Sequence, residues 1–327
     1  MKKKLLALTA AVALTVAAPL SALDRLTIGT GPAGSLYNQV GTTLSTLVQS
    51  HLGITGAARP FTGTTSYLPL VQTGDIEAGI LGGLESRDSF AGNPPYPAAM
   101  DNLRALLVVS RPSFQFFTRA SDGMTTIADL RGRRVVTEYR AIQAFGEVIH
   151  AAMASGGLTD ADVEPVVMAG IADAITGVQD GRIDGAMVAL GIPPLRQADA
   201  TIPGGVRVLT LGPDLEAVTG VRGLQVSTVA PSPAQVGIPE PIDAVSFNTF
   251  LNVNAGMSDD DAYALTRAIH ENWAEAQEAL PALRGMRPEW MVPETLSHPY
   301  HPGAIRYFRE VGMWSDANQQ QQDALLN

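Results

Sequence analysis

Val71-Gln72-Thr73-Gly74-Asp75-Ile76-Glu77 returns 107 residues later as Val178-Gln179-Asp180-Gly181-Arg182-Ile183-Asp184. Each copy reads as the end of a helix stopped by glycine, the residue that tolerates the left-handed backbone of a C-cap. Each runs on through Ile and an acidic residue into a small apolar strand: Ala78-Gly79-Ile80-Leu81, then Gly185-Ala186-Met187-Val188. Helix–Gly–strand units recur in any α/β chain, so the echo has two readings: a recurrent local unit, or two similar lobes with a cleft between them. A separation of about 100 residues suits one lobe per copy. A chain of 327 residues is long enough for roughly two domains.

Before the first copy, Arg25-Leu26-Thr27-Ile28 reads as a strand and Gly29–Gly34 as a glycine-rich turn. Leu36, Val40, Leu44, Leu47 and Val48 follow at the spacing of an amphipathic helix over Leu36–Leu52. After it, Asn93-Pro94-Pro95-Tyr96-Pro97 is a surface loop and Leu103–Ser110 a strand. Such alternation predicts an α/β chain with largely parallel sheets. A second lobe begins after Ser110-Arg111-Pro112, with strands at Phe114–Thr118 and Arg134-Val135-Val136 and a helix at Ile142–Met153. An apolar strand is expected at Ala244–Val253 and a helix at Asp259–Leu280, capped by Ser258 and favoured by three aspartates in its first turn. The last 100 residues then return to the first lobe. The expected division is 1–22 as a signal peptide, 23–112 plus 230–327 as lobe I, and 113–229 as lobe II.

Composition removes several function classes. With 46% hydrophobic and 17% charged residues the chain can build packed cores, which excludes disorder as its main state. The net charge is −10, and every lysine lies at positions 2–4. Without basic clusters the chain is a poor match for nucleic acid. It has no cysteine, which excludes disulfides, thiolate catalysis and thiolate-ligated zinc. Lys2-Lys3-Lys4, the apolar run Leu5–Ala18 and the small residue Ala22 have the layout of a secretory signal cleaved near Ala22, and the apolar run is short for a membrane span. The alternative is an uncleaved anchor. The mature chain is expected in the periplasm.

Gly29-Thr30-Gly31-Pro32-Ala33-Gly34 is a literal G-x-G-x-x-G between a strand and a helix. It is no dinucleotide site: no Asp or Glu occurs between Asp24 and Asp75, and Pro32 removes an N–H from the loop. A helix N-terminus still attracts an anion, and Gly34, Ser35 and Tyr37 add a flexible turn, a hydroxyl and an aromatic wall. A second small polar loop, Thr62-Gly63-Thr64-Thr65, also precedes a helix, so the two make a candidate anion cradle. The opposite lobe offers Glu138, Tyr139, Arg140 and Gln143 after a strand, and Gly191-Ile192-Pro193 after the second repeat copy. Arg140 would clamp a carboxylate with its planar fork, or form an exposed ion pair. Catalytic constellations do not assemble. There is no G-x-S-x-G or HExxH, and Pro299 between His298 and His301 opposes a helical zinc pair. No enzyme activity, metal or cofactor is expected.

The opening loop Ile28–Asn38, the Thr62–Ser66 loop, Asp129-Leu130-Arg131-Gly132-Arg133-Arg134-Val135, Asp184-Gly185-Ala186 through Pro193, and the tail His301-Pro302-Gly303-Ala304-Ile305-Arg306-Tyr307-Phe308 together resemble the TAXI family. Its members are the extracytoplasmic solute receptors of TRAP transporters. The resemblance covers nearly the whole mature chain. It implies a two-lobed, type II periplasmic binding fold, each lobe a mostly parallel sheet flanked by helices, with a hinge between. It also implies a small organic-acid ligand, glutamate-like or dicarboxylate-like, captured in the cleft and delivered to TRAP membrane permease subunits. Where the family usually has Gly-Ala-Pro-Gly-Ser-Gly-Thr, this chain has Thr137-Glu138-Tyr139-Arg140-Ala141-Ile142-Gln143, whose bulk would reshape half the pocket. The alternatives are an ABC-importer receptor of similar fold, a sensor partner that binds without import, and an exported enzyme on the same scaffold.

Overall fold

The computed structural model describes residues 23–327; the expected export signal lies outside the described residues. The chain runs β1 (Arg25–Thr30), α1 (Leu36–Leu52), β2 (Thr55–Pro60), α2 (Thr64–Thr73), β3 (Ala78–Gly82), α3 (Gly83–Ala91) and β4 (Leu103–Ser110). It continues through β5 (Ser113–Arg119), β6 (Arg134–Tyr139), α4 (Phe145–Ser155), β7 (Glu164–Met168), α5 (Ile171–Gln179), β8 (Ala186–Ala189) and α6 (Pro193–Thr201). Then come β9 (Val206–Val208), β10 (Leu224–Val229), β11 (Ile242–Phe247) and β12 (Thr249–Asn254), followed by C-terminal helices.

The strands form two main sheets, ordered β2-β1-β3-β12-β4 and β10-β11-β5-β8, with β9 also on β5 and a separate β6–β7 pair. Each main sheet has its own core. Leu26, Ile28, Leu44, Leu107 and Phe308 belong to the first, and Phe116, Phe117, Val136, Ile149 and Met187 to the second. The chain is therefore two-lobed. The expected parallel pairing holds for β1–β2, β1–β3 and β6–β7. Every pairing of the second main sheet is antiparallel, as are β3–β12 and β12–β4 in the first, so the sheets are mixed rather than mostly parallel: β12 and β5 carry the chain between lobes and run against their neighbours.

The repeated heptapeptide occupies equivalent places in the two lobes. Gly74 ends α2 with φ 78°, and its N–H donates to Val71 O at 3.1 Å. Gly181 follows α5 with φ 70°, and its N–H donates to Val178 O at 3.2 Å. Ile76 and Ile183 are both buried. The acidic residue that follows does the same work in each lobe. Glu77 accepts from Thr27 N–H and Arg25 Nε, and Asp184 from the Arg134 N–H and guanidinium. In Glu77 those bonds outweigh burial and hold the carboxyl below its ordinary value; in Asp184 the Arg134 guanidinium is the main cause of the same shift.

Two expected elements are broken. The apolar run Ala244–Val253 is not one strand: β11 ends at Phe247 in the second sheet and β12 starts at Thr249 in the first, with Asn248 at the crossing. The second sheet thus takes in residues beyond the expected return at 230. The helix expected over Asp259–Leu280 is two helices, Asp259–Glu271 and Trp273–Ala279. Between them Asn272 leaves the helical path and turns its side-chain amide onto Ala268 O at 2.9 Å, a local bond that competes with the helix ladder. Ser258 does cap the first, accepting from Asp261 N–H at 3.1 Å. Among the described residues no helix is long and apolar enough to cross a membrane.

Candidate functional site

The first lobe presents two helix starts to the second. Ser35 caps α1 by accepting from Asn38 N–H at 3.2 Å. Asn38 in turn takes Gly34 N–H on its Oδ1 at 3.3 Å and donates to Thr30 Oγ1 at 3.1 Å, so the turn is fixed from both sides. The start of α2 lies against the opposite lobe, where Thr65 N–H donates to Ala141 O at 3.4 Å. Gly63 makes that approach possible. A Cβ there would lie 2.1 Å from Ala141 O and 2.7 Å from Ala141 Cβ.

Between these starts and the second lobe is a cavity of about 130 Å³. Ser35, Tyr37, Thr62, Gly63, Thr64 and Glu85 line its first-lobe side. The opposite wall holds Phe114, Phe145 and Phe247 with aliphatic neighbours such as Val148 and Ile175. Phe114 stacks on Phe247 at 4.6 Å and meets Phe145 edge-on at 5.1 Å, geometries that aromatic rings favour. Leu84, carried by α3 of the first lobe, packs into the second lobe's core and lines the cavity as well.

Glu85 is the one ionisable carboxyl in the lining. It is 5% exposed, and its Oε1 accepts from Thr64 Oγ1 while Oε2 accepts from Gly82 N–H at 3.1 Å. Burial pushes its carboxyl up to about 7, against the two hydrogen bonds, which pull it down. Tyr37 is close by. Burial first, then the Glu85 charge, raises its phenol above the ordinary value. Near neutral pH Glu85 therefore exchanges between a charge-free acid that can donate and a carboxylate that can only accept.

The sequence candidates divide by place. Ser35, Tyr37, Thr62, Gly63, Thr64 and Ile192 come together on the cavity wall. Gly34 and Thr65 adjoin it through their neighbours but do not line it. Tyr139 points inward and is fully buried, its hydroxyl donating to Met187 O at 2.8 Å; it supports the second sheet from beneath the cavity. Glu138, next to Tyr139 in β6, and Arg140, just past the strand's end, are exposed. Glu138 and Gln143 border a separate open groove with Arg87, Asp88 and Glu147, while Arg140 lies outside the cavity lining. Gly191 takes φ 76° and its carbonyl accepts from Arg196, and Pro193 opens α6 while Pro194 is the one that reaches the cavity. Arg140, expected to clamp a carboxylate, thus does not reach the cavity lining.

Glu85 and the three phenylalanines are absent from the sequence candidates. Gly82-Gly83-Leu84-Glu85, a helix start directly after a buried strand, is a usable signal for Glu85, since an acid at that position reaches back to the backbone. The phenylalanines come from three distant segments and carry no local signal. The two histidines flanking Pro299 and Tyr300 hold the backbone and core: His301 accepts from Gly303 N–H at 3.2 Å, and His298 is buried against Asn252. Among the described residues no group of three or more His, Asp or Glu side chains is arranged to hold a metal ion.

A sequence profile of the NMT1-like family matches residues 28–312. Among solved structures, PhnD1 from Prochlorococcus marinus in complex with methylphosphonate is similar with a TM-score of 0.52 and 11% identity, over 80% of this chain and 91% of that one. A double mutant of the VFT2 domain of BvgS from Bordetella pertussis gives a TM-score of 0.50 and 13% identity, over 80% and 94%. At these identities the likeness is one of fold.

Proposed function

Because the chain belongs to the NMT1-like family, and because a cavity lies between its two lobes, we propose that it is a periplasmic solute receptor. It captures a small organic acid and offers the closed, liganded form to the membrane subunits of a TRAP-type transporter. The observation that carries this reading is the cavity, lined from both lobes and reached by the loops that open α1 and α2. Contacts across it, such as Thr65 to Ala141, exist only when the lobes are together, so a solute that adds contacts to both walls favours closure.

The resemblance to TAXI receptors over nearly the whole mature chain supports the TRAP partner over an ABC importer. The signal-like N-terminus supports the location, and mass spectrometry of the exported chain, starting at Leu23, tests it. The lobes divide at the crossings: 23–110 with 249–327, and 113–247. No bond is made or broken in this function. The deciding experiment is calorimetric titration of the full mature chain with organic acids, followed by recovery of the solute. One-to-one binding with the solute returned unchanged is expected; chemical conversion of the solute would make the protein an enzyme. Co-purification with a large TRAP permease, rather than with an ATPase-driven one, is the expected partner result.

A further inference from the structure

The cavity is lined by one carboxyl, Glu85, and by no Arg, Lys or His side chain. The groups that face Glu85 bring no cation either. Tyr37 of α1, Tyr67 of α2 and Tyr96 after α3 are its titratable neighbours, and burial first, then the Glu85 charge, raises all three phenols, so they stay neutral. The second-lobe side of the lining has no ionisable group. On α3 itself Arg87 and Asp88 pair with each other outside the lining. Several polar donors on the first-lobe side are already engaged. Thr64 Oγ1 donates to Glu85 Oε1, Gly82 N–H to Glu85 Oε2 at 3.1 Å, and Thr62 Oγ1 shares a hydrogen with Ser66 Oγ at 2.8 Å. The start of α5 opens onto the cavity through Ile171 and Ala172, but backbone N–H groups carry only partial charge. An organic anion that enters therefore meets an ionised Glu85 with no full positive charge between them. Two carboxylates held close without a cation share a proton.

Resting on the receptor reading above, we propose that an organic acid is captured together with one proton, held by Glu85, and that Thr64 offers the solute a hydrogen bond only in that state. The directions of the hydrogen bonds supply the coupling. Gly82 N–H can only donate, so Oε2 stays an acceptor and the proton goes to Oε1. Oε1–H then donates to Thr64 Oγ1, and the Thr64 hydrogen is released to turn into the cavity that Thr64 lines. With Glu85 ionised, that hydrogen is bound to Oε1 and the solute meets only lone pairs. Tyr37 stands at the same corner: a Cβ on Gly82 would lie 3.3 Å from the Tyr37 hydroxyl and 3.4 Å from Glu85 Oε2. Burial raises the Glu85 carboxyl to about 7, so above neutral pH the proton is drawn from the buffer as the acid enters and returns to it as the acid leaves.

The test is calorimetric titration of the full mature chain with acetate, 4-methylpentanoate, phenylacetate and succinate at pH 6 and pH 8, the latter in both HEPES and Tris. For the acid that binds most tightly, the difference in heat between the two buffers is expected to report uptake of about one proton per solute at pH 8. Its affinity is expected to be about tenfold weaker at pH 8 than at pH 6, as the protonated fraction of Glu85 falls. Glu85→Gln presents an amide N–H to Thr64 where the acid presents O–H. It is expected to bind more tightly than the wild type at pH 8 and to take up no proton. Binding without proton uptake in the wild type overturns the proposal and leaves the receptor reading standing. Uptake that persists in Glu85→Gln also overturns it, by placing the proton elsewhere. The wild-type proton count decides whether or not that variant folds. Thr64→Val is expected to bind at least tenfold more weakly at pH 6, and unchanged affinity would overturn the part given to Thr64. Failure of all four acids to bind at either pH overturns the organic-acid reading as well.

Discussion

Arg111 Nε donates to Asn248 Oδ1 at 2.7 Å, joining the two points where the chain crosses between lobes. On one side of this bond Ser110 pairs with Thr249 in the first sheet, and on the other Ser113 pairs with Ser246 in the second. The ladder is interrupted just here, and the side-chain bond takes its place. The guanidinium also lies over the Trp290 ring at 4.7 Å. Asn248→Ala removes the acceptor and leaves a half-buried cation with the ring alone. A hydrogen bond to a charged group is worth about 1.5–3 kcal/mol at most, and partial exposure reduces that to about 1 kcal/mol. Urea unfolding is expected to show that loss, and an unchanged midpoint would mean the crossing is held by the strands alone.

Gly63 supplies a sharper test of closure. Its added methyl would collide with Ala141 O, a backbone atom that cannot rotate aside. The lobes must then separate to accommodate it. Gly63→Ala is expected to lower affinity for the cavity's solute at least tenfold in calorimetry while the unfolding midpoint of the empty protein changes little. Wild-type affinity would show that the bound form does not use this close approach.

Charges at the mouth of the cleft differ in what they touch. Arg87 of α3 reaches across the lobes, donating to Glu147 Oε2 at 2.7 Å and to Arg222 O at 2.7 Å. Glu147 is 40% exposed, so the pair is screened and worth under about 1 kcal/mol. Glu147→Gln is expected to reduce affinity no more than fivefold, with the difference vanishing in high salt. Arg140, by contrast, is exposed and outside the cavity lining, so Arg140→Ala is expected to leave affinity within twofold of wild type. A tenfold loss would return it to the site.

The repeat around Gly74 and Gly181 is legible in the sequence because a glycine C-cap and the strand after it are local events, repeated once per lobe. The same holds for Ser35, whose cap is set within four residues. The break at Asn248 is not legible. An apolar run from Ala244 to Val253 reads as one strand whether it stays in one sheet or passes between two, and no Gly or Pro marks the crossing. Arg140 misleads for a related reason. A charged residue after a strand suggests a site, yet the chain buries Tyr139 on Met187 O and leaves Arg140, one residue past the strand's end, exposed. The apolar wall depends on Phe114, Phe145 and Phe247 meeting across long stretches of chain, a contact that only the tertiary fold decides.

Glu85 should leave a signature in the pH dependence of stability. Its carboxyl titrates near 7 in the folded protein against an ordinary value of 4.5. Between those values the folded state holds a proton on Glu85 that the unfolded chain has released, so this group's contribution to stability falls as pH rises through the window and levels off above about 7. Glu77 and Asp184 act the other way, but their carboxyls lie below the ordinary range, so their contribution is complete before the window opens. The fall from Glu85 is on the order of 3 kcal/mol, since each tenfold gain in proton affinity is worth about 1.36 kcal/mol. Glu85→Gln keeps the polar contact with Thr64 and removes the proton exchange. Burial holds the His270, His298 and His301 imidazoles below their ordinary value, which adds stability across the same window in both proteins. The signature is therefore a difference: urea unfolding at pH 5 and pH 8 is expected to show the variant gaining on the wild type as pH rises and being the more stable of the two at pH 8. Equal slopes in both proteins would mean that Glu85 stays charged in its cavity.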